Sequence, residues 1–224
     1  MVIMWIASAV VVMLGAGPVV SGVAVDLGRT SRVSVSSTGV QSDEESFMPD
    51  LGATGRYVVF SSGATNLVSG DTNGVEDVFL RDRTGGITER ISVSSGGAQG
   101  DDESWGSSIN PDGRYVVFTS GASNLVARDT NMSRDVFLRD RMAGTTTRIS
   151  VSSGGAQGNG FSSWGTISAD GRHVAFVSGA SDLVPGDTNG AEDIFVRDLD
   201  TGVTERVSVA SSGAQADGYS NQIA

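Results

Sequence analysis

One phrase occurs three times along the chain at a constant spacing. Residues 63–82 read GATNLVSGDTNGVEDVFLRD, residues 121–140 read GASNLVARDTNMSRDVFLRD and residues 179–198 read GASDLVPGDTNGAEDIFVRD. The three copies start 58 residues apart both times. A fixed period of this size is typical of a repeat architecture, in which each repeat is one small unit that packs against the next.

The same period extends on both sides of the phrase. The motif GRYVVF at residues 55–60 returns at residues 113–118, and as GRHVAF at residues 171–176. A short segment rich in serine and valine starts near positions 33, 91 and 149 and once more at 207. We therefore expect one array over residues 25–224, with three complete 58-residue repeats and a partial unit at each end.

The middle repeat predicts four strands that form an antiparallel meander. Runs at residues 105–109 and 114–120 flank an N-P-D-G turn, and a long loop leads to runs at residues 135–140 and 146–152. The second and third runs are continuously apolar, which indicates a sheet covered on both faces. The fourth ends in Ile-Ser-Val-Ser, and this alternation predicts an outer strand with one wet face. Four-stranded blades of this kind predict an all-β fold, a β-propeller array.

Two motifs resemble a known family of repeats. The phrases N-P-D-G-R-Y-V-V-F and D-V-F-L-R-D resemble the WD-like repeat of TolB-type β-propellers, in which S-P-D-G-[KR]-x-[IL]-A-F precedes D-[IL]-[YF]-x-x-D. The resemblance covers about residues 31–224 and implies the fold but no activity. Propellers typically have about 4–8 blades. Three complete repeats therefore predict an incomplete ring, a fragment of a longer protein, or a ring that a second copy closes head to tail.

Residues 1–24 differ from the array. Residues 2–14 are almost purely apolar, a Gly/Pro break follows, and Gly22 and Ala24 fit the small-residue pattern of a signal-peptidase site. An apolar segment of about 20 residues can also span a bilayer. We therefore expect a cleaved signal peptide or an N-terminal membrane anchor, and a secreted, periplasmic or membrane-anchored protein. The alternative is a buried core strand.

The composition argues against several functions. The net charge of −11 argues against binding a nucleic-acid backbone, and the absence of cysteine excludes disulfides and thiolate metal sites. The one histidine, His173, occupies the repeat position of Tyr57 and Tyr115, so a Ser-His-Asp arrangement lacks its base. Paired carboxylates such as Asp101 and Asp102 could serve a glycosidase, but such runs are usually solvated loop. We expect no enzymatic activity.

The loop phrase D-T-N-G-x-x-D predicts a calcium site. It places oxygen ligands at its positions 1, 3 and 7 and resembles a shortened form of the calcium loops in integrin-type propellers; calcium takes about six to eight oxygens. The candidate ligands are Asp71, Asn73, Asp77, Asp129, Asn131, Asp135, Asp187, Asn189 and Asp193. In the middle copy Met132 replaces the glycine and Arg134 comes close. The alternative is an Asx turn, in which Asp and Asn side chains bind backbone N–H groups.

The two long connections of each repeat are predicted to lie at one edge, because connections in a meander alternate between its two edges. They carry many acids and only two basic residues, Arg128 and Arg134. Such a field would concentrate cations or a basic partner; alternatively, it would only keep an exported protein soluble. Tryptophans near these connections could stack on a ligand or pack between blades. The candidate binding residues are Asp101, Asp102, Glu103, Trp105 and Trp164.

These patterns favour a non-enzymatic, exported β-propeller that acts as a protein-interaction or ligand-binding scaffold at the cell envelope. Two alternatives stay open. The chain could be a fragment or accessory propeller half of a longer peptidase or glycan-active enzyme, or a calcium-stabilised, lectin-like module.

Overall fold

The structure, a computed structural model, describes residues 30–220, which form one compact unit from Arg32 onward. Blade 1 contains β1 (Ser46–Leu51), β2 (Tyr57–Ser62), β3 (Asp77–Asp82) and β4 (Ile87–Arg90). Blade 2 contains β5 (Ser104–Ile109), β6 (Tyr115–Ser120), β7 (Asp135–Asp140) and β8 (Thr145–Arg148). Blade 3 contains β9 (Ser162–Ile167), β10 (His173–Ser178), β11 (Asp193–Asp198) and β12 (Thr204–Arg206).

Each blade is one antiparallel sheet with its strands in chain order, which confirms the predicted all-β fold of four-stranded propeller blades. The predicted signal or anchor segment, residues 1–24, lies outside the described residues. Between residues 30 and 220, no helix is long and apolar enough to cross a membrane.

The two middle strands of each blade form its core. In blade 2, β6 and β7 pair without a break from Tyr115↔Asp140 to Ser120↔Asp135. Their apolar residues are buried on both faces, as the continuous runs predict, and Phe118 stacks on Phe137 at a ring-centroid distance of 5.7 Å. The equivalent phenylalanines of the other blades stack in the same way, at 6.0 Å in blade 1 and 5.8 Å in blade 3.

The fourth strand is shorter than predicted. In blade 2 it ends at Arg148 rather than residue 152, and Val151 instead forms an isolated bridge with Gln157. The predicted wet face is also wrong, because Ser150 is fully buried. Its Oγ donates a hydrogen bond to Asp135 Oδ1 at 2.6 Å and accepts one from the Val136 N–H at 3.1 Å. The alternation of serine with apolar residues in this segment therefore reflects the buried hydrogen bonds of Ser150 and not a solvent-exposed face.

The segment after each fourth strand joins its blade to the next one. Between blades 2 and 3, the Thr204 N–H donates to Ser153 Oγ at 2.9 Å, and Thr204 Oγ1 donates to the Val151 carbonyl at 2.7 Å. The same contacts link Ser95 and Val93 to Thr146, and Ser37 and Val35 to Thr88. Successive blades are thus joined by one repeated set of hydrogen bonds.

One edge of each blade carries the short turns between its first two and its last two strands. There an arginine and an aspartate of the repeat motifs pair with each other and stabilise the turns. Arg56 Nε and Nη2 donate to the two carboxylate oxygens of Asp82 at 3.0 and 2.7 Å, and Asp82 Oδ1 also accepts the N–H groups of Thr84 and Gly85. Arg114 and Asp140 make the same pair in blade 2, and Arg172 and Asp198 make it in blade 3. The hydrogen bonds from Arg56 hold the pKa of Asp82 below its usual range.

Candidate interaction site

The two long connections of each blade meet at one edge, as predicted, and we call it the loop edge. Asp101, in the linker before β5, accepts hydrogen bonds from the backbone N–H and the hydroxyl of Ser123 in the β6–β7 loop, at 2.7 and 2.8 Å. In blade 3, Asn159 occupies this repeat position and binds the same two groups of Ser181 at 3.0 Å each. Asp101 is therefore part of the loop structure, and an amide can replace its carboxylate.

The carboxylates of the D-T-N loops are paired with an arginine at the end of the fourth strand. Arg90 Nη2 lies 3.2 Å from Asp71 Oδ1, and Arg90 Nη1 lies 3.3 Å from Asp77 Oδ2. Arg148 contacts Asp129 and Asp135 in blade 2, and Arg206 contacts Asp187 and Asp193 in blade 3. These side chains are all buried, with at most 10% of their surface exposed. We call each set a two-aspartate network.

Burial opposes the charge in each network. Burial raises the pKa of Asp77, while the hydrogen bond from Ser92 Oγ at 2.5 Å and the charge of Arg90 act in the opposite direction. Burial likewise raises the pKa of Asp135 and Asp187. Since two carboxylates share one guanidinium, each network buries one more acidic group than basic groups.

The asparagines complete the same loops. Asn131 Oδ1 accepts the N–H of Ser133 at 3.1 Å, which is the Asx-turn geometry, and Asn131 Nδ2 donates to the Gly158 carbonyl at 3.0 Å. Asn73 and Asn189 donate to the equivalent linker carbonyls. The asparagines thus tie each loop to the linker that follows it.

These contacts fit an arginine–aspartate network better than a calcium site. The guanidinium already supplies the positive charge that the oxygen set needs, and a second cation beside it would be repelled. Within residues 30–220, no three Asp, Glu, His or Cys side chains are grouped to hold a metal ion. Calcium binding stays a prediction, and calorimetric unfolding with and without chelator would test it.

The loop edge exposes less acidic charge than the sequence suggests, because the D-T-N aspartates are buried and paired with arginines. Asp102 and Glu103 remain exposed, and Glu103 lies 3.8 Å from Arg134. Burial raises the pKa of Glu76, and the nearby charge of Glu103 raises it further. Glu76 and Glu103 thus lie close enough for their charges to interact, and Arg134 is the cation beside Glu103.

The two predicted tryptophans come from neighbouring blades and touch each other. The rings of Trp105 and Trp164 pack edge to face, with centroids 5.2 Å apart and an interplanar angle of 67°. The Arg134 guanidinium lies over Trp105, 5.5 Å from its centroid. Trp164 remains 48% exposed. The pair both packs between blades and presents an aromatic surface.

No protein-family model and no curated protein matches the chain. Among solved structures, the chain is similar to putative TolB from Agrobacterium tumefaciens, with 17% identity and a TM-score of 0.47, over 72% of this chain and 48% of that one. It is also similar to TolB from Acinetobacter baumannii, with 16% identity and a TM-score of 0.33, over 75% of this chain and 44% of that one. The chain thus spans less than half the length of either structure. Its fold is a TolB-like β-propeller, defined by its four-stranded blades and their motifs.

Proposed function

We propose that this propeller is a non-enzymatic binding scaffold whose loop edge recruits a basic segment of a protein partner. The observation that carries the proposal is the exposure of the neighbouring carboxylates Asp102 and Glu103 at the loop edge. In a chain with a net charge of −11, this field attracts cationic partners and speeds their encounter.

The one histidine supports a role without catalysis. His173 lies at the edge opposite the loop edge, where its Nε2 is 3.8 Å from Asp198 Oδ2. That carboxylate is already bound to Arg172 at 2.7 Å. A nucleophile at the loop edge would therefore have no imidazole to activate it.

Binding of a hexa-arginine peptide to the purified protein would test the proposal. The double variant Asp102→Asn, Glu103→Gln should bind about tenfold more weakly, because two exposed charges near a cationic ligand are removed. The variant Asp101→Asn removes a third charge while its amide keeps the contacts that Asn159 makes. The control Glu205→Gln removes an exposed charge from β12, the outermost strand of blade 3. Equal affinity of all variants would contradict the proposal.

The proposed scaffold acts outside the cytoplasm. The apolar run at residues 2–14 and the small residues that follow it support this location. Mass spectrometry of the mature protein from its native host should find an N-terminus near residue 25, or a membrane-bound chain that keeps its leader. An intact chain in the cytoplasm would contradict the location.

The scaffold also has a surface that suits a second copy of the chain. Val207 and Val209 are 43% and 41% exposed, whereas Ile149 and Val151, at the same positions one repeat earlier, are 1% and 8% exposed. A second copy whose first blade covers them would supply a neighbour of the same repeat type. Size-exclusion chromatography with light scattering should then detect a dimer that Val209→Glu dissociates. A monomer at all concentrations would contradict this assembly.

The chain as the accessory part of a longer enzyme stays an alternative. It predicts a hydrolase motif in the neighbouring reading frame, and sequencing beyond Ala224 would test it.

A further inference from the structure

The first strands of the three blades line a cleft of about 310 Å³. Each of these strands contains a β-bulge at the same repeat position. The residue at the bulge has a left-handed backbone in all three blades, with φ of 49° at Met48, 63° at Gly106 and 56° at Trp164. Glycine adopts this conformation freely, but the side chains of methionine and tryptophan make it unfavourable.

The unfavourable backbone conformation at Trp164 is not explained by packing of its side chain in the core, because the side chain is only half buried. Trp164 is 48% exposed and Met48 is 40% exposed, and both line the cleft. Bulges are common beside functional sites, where they redirect a side chain, and strained backbone concentrates at ligand-binding positions. The edge contact with Trp105 fixes the indole of Trp164, so the cleft has a preformed aromatic wall.

A carboxylate without a counter-charge lies in the same cleft. Asp50 accepts the N–H of Ile109 at 3.0 Å and the N–H of Leu51 at 2.8 Å. Among the described residues, no arginine or histidine lies within ion-pair distance of it, in contrast to Asp82, which Arg56 binds. A cleft lined by a fixed aromatic ring and an uncompensated carboxylate suits an organic cation, which the face of the ring and the negative charge both attract.

We propose that the cleft binds the cationic side chain of an arginine or lysine, stacked on Trp164 and paired with Asp50. The inference rests on the proposed function, because that side chain would belong to the basic segment attracted to the loop edge. Arg134 makes the same type of contact on Trp105 within the chain. Tryptophan and arginine are enriched among the few residues that dominate the affinity of interfaces, so the cleft would anchor a partner that the acidic loops attract.

Isothermal titration with a tri-arginine amide would test the site. The variant Trp164→Gly installs the residue that blade 2 uses at this bulge, so it removes the indole and relieves the strain together. We expect about tenfold weaker binding and an unchanged or higher unfolding temperature. Asp50→Asn should weaken binding by a similar factor. The matched control Met132→Gly relieves the same kind of left-handed strain outside the cleft, at a position where blades 1 and 3 have glycine, and should change affinity less than twofold.

The outcomes separate this inference from the proposed function. If Asp102→Asn, Glu103→Gln weakens binding while Trp164→Gly and Asp50→Asn do not, the loop-edge proposal stands and the cleft inference is overturned. If a neutral trisaccharide or a proline-rich peptide without basic residues binds with the same dependence on Trp164, the cationic ligand class is overturned. If the tri-arginine amide does not bind at all, both proposals fail.

Discussion

The middle strands of blades 2 and 3 have the same repeat pattern but different surroundings. In blade 2, Val117 and Val136 are fully buried, because Gly165 of blade 3 lies over them with no room for a Cβ. At the same repeat positions in blade 3, Ala175 and Ile194 remain partly exposed. The positions are apolar in both blades, so it is their burial that depends on a neighbouring blade.

The two-aspartate networks, in contrast, are equally buried in the two blades. Asp135 in blade 2 and Asp193 in blade 3 are both completely buried, and each contacts the arginine at the end of its own fourth strand. Burial at these positions does not depend on the next blade. The comparison thus separates stabilisation within a blade from stabilisation between blades, and mutations can measure the two.

The largest expected effect lies within the blades. Arg148→Met leaves Asp129 and Asp135 buried without a positive charge, so we expect a loss of about 3–5 kcal/mol in the free energy of unfolding. Arg206→Met removes the equivalent arginine of blade 3, and should cost about the same if the network belongs to one blade. Urea unfolding measures both, with the exposed Arg32→Met as a control that changes little. A much smaller loss for Arg206→Met would show that the network also needs a neighbour.

The face of blade 2 that blade 3 covers should show the next largest loss of stability on mutation. Gly165→Val forces a branched side chain against Val117 and Val136, so we expect a loss of about 2–3 kcal/mol from overpacking. Gly165→Ser is the milder comparison, because blade 2 has Ser107 at this repeat position. Gly218→Ala, where the structure leaves open space, is the control. Equal unfolding free energies for the valine variant and the control would disprove the tight contact.

The repeat period, the middle strands and the loop edge could be predicted because each depends on local pattern and chain order. The two-aspartate networks could not be predicted from the loop alone. Arg90 reaches Asp71 and Asp77 only because β3 and β4 pair with Phe79 opposite Arg90, and the repeat pattern does not specify this register. A signal was nevertheless present, since arginine recurs at positions 90, 148 and 206 with the repeat.

The tryptophan pair shows another limit of sequence periodicity. Trp105 and Trp164 were both predicted as binding residues, but they occupy different repeat positions, so the repeat alone does not predict that their rings touch. The bulge in each first strand supplies the explanation, because it turns Trp164 towards Trp105 from the position that Gly106 holds in blade 2. Backbone conformation of this kind is not visible in an apolar–polar pattern.

Shortening equivalent side chains on the covered face of blade 2 and on the open face of blade 3 compares the two blades more directly. The expected effects are smaller. Val136→Ala removes fully buried methyl groups and should lower the free energy of unfolding by about 2 kcal/mol. Ile194→Ala removes a larger group from the partly exposed face, and should cost less than about 1 kcal/mol in the monomer. Both values come from the same urea titration. A loss for Ile194→Ala that grows with protein concentration would indicate that a second copy covers the open face.

The smallest effect concerns the arginine–aspartate pairs at the edge opposite the loops. Hydrogen bonds from Arg56 and Arg172 hold the pKa of Asp82 and Asp198 below the usual range. A lowered pKa in the folded state stabilises the protein above the usual value of about 3.9, and this stability is lost as the pH falls through the lowered pKa. Acid unfolding should therefore take up protons at both sites.

Asp82→Asn and Asp198→Asn should each reduce that uptake by up to about one proton, seen as a shallower pH dependence of the unfolding free energy below about pH 4. Because each pair lies within one blade, the two variants should change the slope equally, and unequal slopes would show that the neighbouring blade contributes to the pairs as well.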